Sequence, residues 1–223
     1  MILPYVQEKI LLSIDQELGV VSVLGRFDIA YATSVMSMFN MLPREGNLKA
    51  VKRVLAYLKI FPKGRIIVDT TYPDHSIYPV EEHPNWKDFY PDAEEEIPNG
   101  LPKSKQPIVR MTVYVDADHA HDLVTRRSIT GIILMLNNTP VRWVSIRQKT
   151  VGTSTYGSDL VLSRIATELI LEVRFMLRSL GVDKDGPTLM LGDNMSVVLN
   201  TSVPSSVLKE KHNAIAYHRV IFF

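Results

Sequence analysis

Thr112-Val113-Tyr114-Val115-Asp116-Ala117-Asp118-His119-Ala120-His121-Asp122 is an apolar run that ends in three carboxylates. Strict alternation along a strand puts Asp116 and Asp118 on one face and turns Ala117 and His119 to the other. Carboxylates at a strand end are how a protein makes a site for a hard cation, because magnesium takes oxygen ligands and needs an open position for substrate. The stretch therefore predicts a strand that carries a metal-binding acid at its C-terminal end.

Around it, 223 residues with 46% hydrophobic and 22% charged side chains are enough to bury a core in one or two domains. A net charge of +1 excludes a strongly basic coat, so any nucleic-acid contact has to come from a local patch. Charge is uneven: residues 1–70 carry 9 basic and 6 acidic side chains, residues 71–107 carry 3 and 8, and residues 108–223 carry 13 and 10. Without cysteine there is neither a disulfide nor cysteine-ligated zinc. No apolar run reaches the roughly 18 residues of a membrane span, and the N-terminus lacks a signal-peptide pattern. An intracellular protein, cytoplasmic or nuclear, is the expectation.

Three regions follow from the pattern. Residues 1–70 read as helical, with two short helices over 16–41 broken near Gly25-Arg26-Phe27-Asp28 and Asp28 capping the second. Leu48, Val51, Val54, Leu55 and Leu58 then mark an amphipathic helix over 47–60, whose outer side carries Lys49, Lys52, Arg53 and Lys59. That basic side is either a solvated face or a contact for a nucleic-acid backbone. Pro62-Lys63-Gly64 stops the helix, and Arg65–Thr70 reads as a β-type run.

Residues 71–107 hold 7 of the 13 prolines together with Glu94-Glu95-Glu96, a composition that fits an acidic linker. Tyr78, Trp86, Phe89 and Tyr90 suggest that part of it packs on a neighbour. From residue 108 to 223 the order is β-β-β-α-β-α. Ile108–Asp116, Ile129–Leu136 and Val141–Arg147 form an antiparallel meander, with Asn137-Asn138-Thr139-Pro140 as a hairpin connection. A long helix starts after Thr153-Ser154-Thr155 and ends at Leu180 before Gly181, with Leu162, Ile165, Ala166, Leu169, Val173, Met176 and Leu180 on one face. Pro187–Gly192 is a strand, and Met195–Asn200 begins another helix.

Asp116 then ends the first strand, Asp159 lies in the first turn of the long helix, and Asp193 ends the fourth strand. If the fourth strand pairs parallel to the first across the helical crossover, the three acids share one cleft. Like charges at short range raise one another's pKa, and divalent cations relieve that. Two metals about 4 Å apart would activate a water and stabilise the leaving 3′-oxygen of an in-line phosphodiester cleavage. Singly, each acid has a duller explanation: Asp159 answers the helix dipole, and Asp193 caps the helix after it.

The tract Tyr114 to Asp122, followed by Arg127-Ser128-Ile129-Thr130-Gly131, Trp143-Val144-Ser145, Gln148-Lys149-Thr150-Val151, Thr153-Ser154-Thr155, Gly192-Asp193-Asn194 and Lys211-His212-Asn213, resembles the ribonuclease H domain of copia-type LTR retrotransposon polyproteins. Upstream, Gly25–Ala32 and Pro43–Leu55 resemble the segment that follows the reverse-transcriptase palm in the same polyproteins. The resemblance spans roughly residues 16–65 and 110–220. It implies an α/β (α+β), ribonuclease H-like mixed sheet with flanking helices, preceded by a small thumb- or connection-like helical region. It also implies an endonuclease in which Asp116, Asp159 and Asp193 bind magnesium, with manganese as a substitute, and cut the RNA strand of an RNA–DNA hybrid.

Arg127, Ser128, Lys149, Asn194 and His212 are the substrate-binding candidates under that resemblance. Two departures accompany it. The family has glutamate where this chain has Asp159, and the chain is expected to stop before the family's last strand and fourth acid. The implied partners are the hybrid and the rest of a retroelement polyprotein, with no membrane. The alternatives are a catalytically inactive remnant that at most binds nucleic acid, and a helical unit with a structural role in a larger polymerase.

His119 and His121 invite a zinc reading, but they face away from Asp116 and Asp118. Arg126, Arg127, Arg142, Arg147 and Lys149 either line a groove for phosphates or form the wet face of a half-exposed sheet.

Overall fold

Among the described residues, helices fill the N-terminal part of the chain and strands begin at Ile108. The computed structural model describes residues 5–78, 91–92, 99–104, 108–203 and 214–221. The chain divides into two units, one of Met1–Ile67 with Trp143–Arg147 and one of Val68–Arg142 with Gln148–Phe223. Among the described residues no helix is long and apolar enough to cross a membrane.

In the first unit, α1 (Tyr5–Leu24), a 3-10 turn (Phe27–Ile29), α2 (Ala30–Ser37) and α3 (Glu45–Ile60) enclose Leu18, Ile29, Met36 and Val51. The inward face of α3 is the expected one, since Leu48, Val54 and Leu58 pack on this core and Lys49, Lys52, Arg53 and Lys59 are exposed. Leu55, expected inside, is exposed. Asp28 does not cap a helix. Its carboxylate accepts from Arg26 Nε at 2.9 Å and from the Tyr57 hydroxyl at 2.9 Å, which ties the turn to α3. Trp143 completes the unit with its ring tilted 46° to Phe27, at 5.5 Å between centroids, and donates Nε1–H to the Ser22 carbonyl at 2.8 Å.

The second unit holds β1 (Ile108–Val109), β2 (Met111–Asp118), β3 (Ile129–Leu136), the start of β4 (Thr139–Arg147), α4 (Thr155–Ser179), β5 (Asp183–Lys184), β6 (Leu189–Leu191), α5 (Met195–Ser202) and α6 (Ala214–Ile221). This is a mixed sheet with helices, ordered β4-β3-β2-β6. β2 runs antiparallel to β3, with Asp116 opposite Gly131, and parallel to β6, with Tyr114 opposite Leu191. The parallel neighbour is the one the helical crossover required. The expected first strand is split at Arg110, where β1 leaves to pair with β5 and the Arg110 guanidinium meets Asp185. The hairpin between β3 and β4 needs only Asn137-Asn138, with Asn137 at φ +52°.

Arg65–Thr70 is not a strand. Asp69 is instead pinned to the hairpin, its N–H donating to Thr139 Oγ1 at 2.8 Å and its carbonyl accepting from Asn138 N–H at 3.3 Å. Beyond it, Tyr72 donates to the Ile108 carbonyl, His75 meets Thr112 Oγ1 at 2.9 Å, and Tyr78 meets the Tyr114 hydroxyl at 3.3 Å. Trp86, Phe89, Tyr90 and most of the 71–107 stretch lie outside the described residues.

Ser154 caps α4 by accepting from Gly157 N–H at 3.1 Å, and Gly181 at φ +69° ends it. Leu162, Ala166, Leu169 and Val173 face the core as expected, but Met176 and Leu180 are exposed and Leu177 takes the inward position. The helix keeps its 3.6-residue period, so one step of phase in the last turn exchanges these neighbours.

Candidate functional site

The carboxylates of the opening stretch are sorted by what holds them. Asp118 Oδ2 meets His121 Nδ1 at 2.6 Å. Asp122 organises the loop between β2 and β3, accepting from Val124 N–H at 3.0 Å and from the Thr125 hydroxyl. Asp116 lies within β2 rather than at its end, exposed on the same face as Tyr114 and Asp118. Among the described residues its carboxylate makes no hydrogen bond or ion pair.

Asp159 is the fifth residue of α4, one position past the first turn, so the helix dipole does not account for it. Its carboxyl is half-buried and its pKa is raised. Burial is the main cause. Asn194 works against it through a hydrogen bond, Asp193 and Asp116 add to it by repulsion, and His119 lowers it. Two of the predicted acids, Asp193 and Asp116, thus act on the carboxyl of the third.

Asp193 reaches this place because β6 closes tightly on β2. A Cβ on Gly192 would stand 3.1 Å from Val115 Cγ2, so a side chain on the residue before Asp193 would have to push Val115 aside. Asn194, not Asp193, caps α5: its Oδ1 accepts from Ser196 N–H at 3.1 Å and Val197 N–H at 3.4 Å. The same side chain donates Nδ2–H to Asp159 Oδ2 at 2.7 Å. A cavity of about 490 Å³ opens beside these groups, lined by Asp159, Asp193 and Asn194 at one end and Arg174 and Thr188 among its other walls.

The donor set suits a hard cation in kind, with three all-oxygen ligands and a repulsion at Asp159 that a cation would relieve. Among the described residues no three acids or histidines already close to ligating distance of one another. Of the two histidines, His121 turns to Asp118, where it was expected to face away, and His119 Nδ1 meets Ser158 Oγ at 3.1 Å.

Of the substrate-binding candidates, Lys149 is exposed and Arg127 partly buried. Ser128 is fully buried, which corrects its expected role. Its hydroxyl accepts from Ala120 N–H at 3.1 Å and its carbonyl from Gln148 N–H at 2.8 Å, so it serves the fold and not a ligand. His212 lies outside the described residues. Arg142 stands 3.9 Å from Glu172 with both side chains exposed.

Two further residues escape a reading of the sequence. His119 meets the start of α4 through Ser158 and lowers the pKa of the neighbouring Asp159. Gln148, 2% exposed, donates Nε2–H to Thr130 Oγ1 at 3.1 Å and to the Ser158 carbonyl at 2.9 Å, fastening β3 to the start of α4. A long amide between an apolar strand and a helix cap is the available signal for it.

Over 194 residues, 86% of the chain, the sequence is 27% identical to the Retrovirus-related Pol polyprotein from transposon RE1 of Arabidopsis thaliana. The chain is similar to retrotransposon Pol polyproteins. The one from transposon RE2 of the same plant is 26% identical over the same length, and the chain spans 11% of each of these curated relatives. It is also 29% identical over 149 residues to Secreted RxLR effector protein 161 of Plasmopara viticola, covering 66% of the chain and 80% of that protein. No family model and no solved structure matches it.

Proposed function

We propose that the chain is a retroelement-derived, ribonuclease H-like module that hydrolyses the RNA strand of RNA–DNA hybrids with magnesium. The observation that carries this reading is the half-buried Asp159 of α4, which feels both Asp193 beyond β6 and Asp116 of the adjacent β2. Similarity to Pol polyproteins over most of the chain supports the retroelement origin.

Asp116, Asp159 and Asp193 would hold the magnesium, for which manganese can substitute. Bound there, it supplies Lewis-acid activation of water and stabilisation of the leaving oxygen. Asp116 offers an exposed carboxylate with no competing partner among the described residues. Asn194 orients Asp159, and the burial of that carboxyl keeps its surroundings drier than those of the other two. Arg127 and Lys149 contribute contacts to phosphates, which position a duplex without reading its sequence. The 2′-hydroxyl then distinguishes the RNA strand.

Magnesium-dependent cleavage of a labelled hybrid tests the reading, with Asp116→Asn expected to abolish it. Absence of cleavage with magnesium and manganese at high protein concentration, or an unchanged Asp116→Asn variant, overturns it.

A second reading is a module that binds nucleic acid without cutting. It is favoured by α3, where Lys49, Lys52, Arg53 and Lys59 are all exposed and none joins an ion pair among the described residues. Replacing Lys52 and Arg53 by Gln should then weaken hybrid binding and flatten its salt dependence, by about 0.9 in log–log slope for each phosphate that is no longer neutralised.

A further inference from the structure

Asn194 uses both ends of its amide. Oδ1 accepts from Ser196 and Val197 N–H at the start of α5, while Nδ2 donates to Asp159 Oδ2 on α4, at 2.7 Å. Its own backbone continues directly from Asp193. One side chain therefore joins the helix that carries Asp159 to the junction that carries Asp193.

We infer that Asn194 is a positioning residue that sets the Asp159 carboxylate against Asp193 for a divalent cation. This rests on the metal-site reading of the acids. A neutral amide orients a carboxylate without cancelling its charge, which an arginine or lysine in the same place would do. With Oδ2 held by Asn194, Oδ1 is the oxygen left to face a cation.

The residue type is what the two tasks require. A helix cap needs a short side chain with an acceptor, which Asn, Asp, Ser and Thr provide. The bond to Asp159 needs a donor beyond that acceptor. Aspartate has none when ionised, and the single oxygen of Ser or Thr sits one atom closer to the backbone than the Asn amide nitrogen. Asparagine alone among the good caps can accept from α5 and reach a carboxylate on α4 at once.

Manganese binding to the full chain, followed by electron paramagnetic resonance without nucleic acid, tests this apart from activity. Asn194→Ser and Asn194→Thr keep the cap and lose the amide donor that reaches Asp159. Each is expected to weaken manganese binding roughly 10-fold or more, the cost typical of losing a partner that orients a metal ligand. In an Asp159→Asn background the same substitutions should change nothing further, because the residue acts through Asp159.

Variants that bind manganese as the wild type does, or that weaken it equally in both backgrounds, overturn the inference alone. A wild-type chain that binds no manganese overturns the inference together with the metal-site reading.

Discussion

Asn194 Nδ2–H meets Asp159 Oδ2 at 2.7 Å, and that bond, with the weaker help of His119, favours as an ion a carboxyl that burial, Asp193 and Asp116 all disfavour. Folding raises the pKa of Asp159.

Its pH dependence follows from that. The folded state holds the Asp159 proton more tightly than the unfolded chain does, so this contribution to stability is fully present below the ordinary value of 3.8 and lost as pH rises through the raised folded value. Asp159→Asn removes the ionisation and keeps an oxygen for the Asn194 amide. Without divalent cations the variant should melt higher than the wild type at neutral pH, and the gap should shrink to nothing in acid. Thermal melts across that pH range give the comparison.

Asp28 carries the opposite sign. Its hydrogen bond from Arg26 holds its pKa below the ordinary carboxylate range, with the Tyr57 hydroxyl assisting. Its contribution is present above the ordinary value and lost as pH falls through the folded one. Asp28→Asn should therefore cost stability at neutral pH, under about 1 kcal/mol for a carboxylate that is a third exposed, and nothing at low pH. The same series of melts separates the two aspartates by direction.

Gly192→Ala should destabilise by about 1 kcal/mol, because the new methyl meets Val115 Cγ2 at 3.1 Å and that side chain, on the strand β6 pairs with, has to shift. Gly46→Ala in α3, where nothing lies within 4 Å, is the control and should be neutral or slightly stabilising. Urea denaturation of the pair reads the difference.

Gln148→Leu should cost about 1–3 kcal/mol, since it leaves the Ser158 carbonyl and the buried Thr130 hydroxyl without their donor. Adding Thr130→Val to that variant should cost less than Thr130→Val costs alone. A double-mutant cycle by urea denaturation measures the coupling.

What can be read from the residues is what repeats locally. Alternation in Met111–Asp118 and Ile129–Leu136, the apolar stripe of α3, and the Ser154 and Gly181 signals at the ends of α4 each depend on neighbours a few positions apart. The errors fall where a distant partner decides. Asp28 reads as a cap and is taken by Arg26 and Tyr57; Arg65–Thr70 reads as a strand and is held by Thr139 and Asn138. Ser128 reads as available and is sealed inside.

The sequence by itself determined that Asp116 would stand on a strand and Asp159 on a long helix, because side-chain period is a local matter; that Asp116 lies inside β2 and that β6 stops at Leu191, two residues before Asp193, it did not. Only the tertiary structure decided which carboxylates keep each other company. Asp118 and Asp122 are claimed by His121 and the β2–β3 loop, while Asp159 is held by Asn194 and feels Asp193 and Asp116. Those outcomes turn on distances of a few ångströms between segments far apart in the chain, and no periodicity in one segment encodes them.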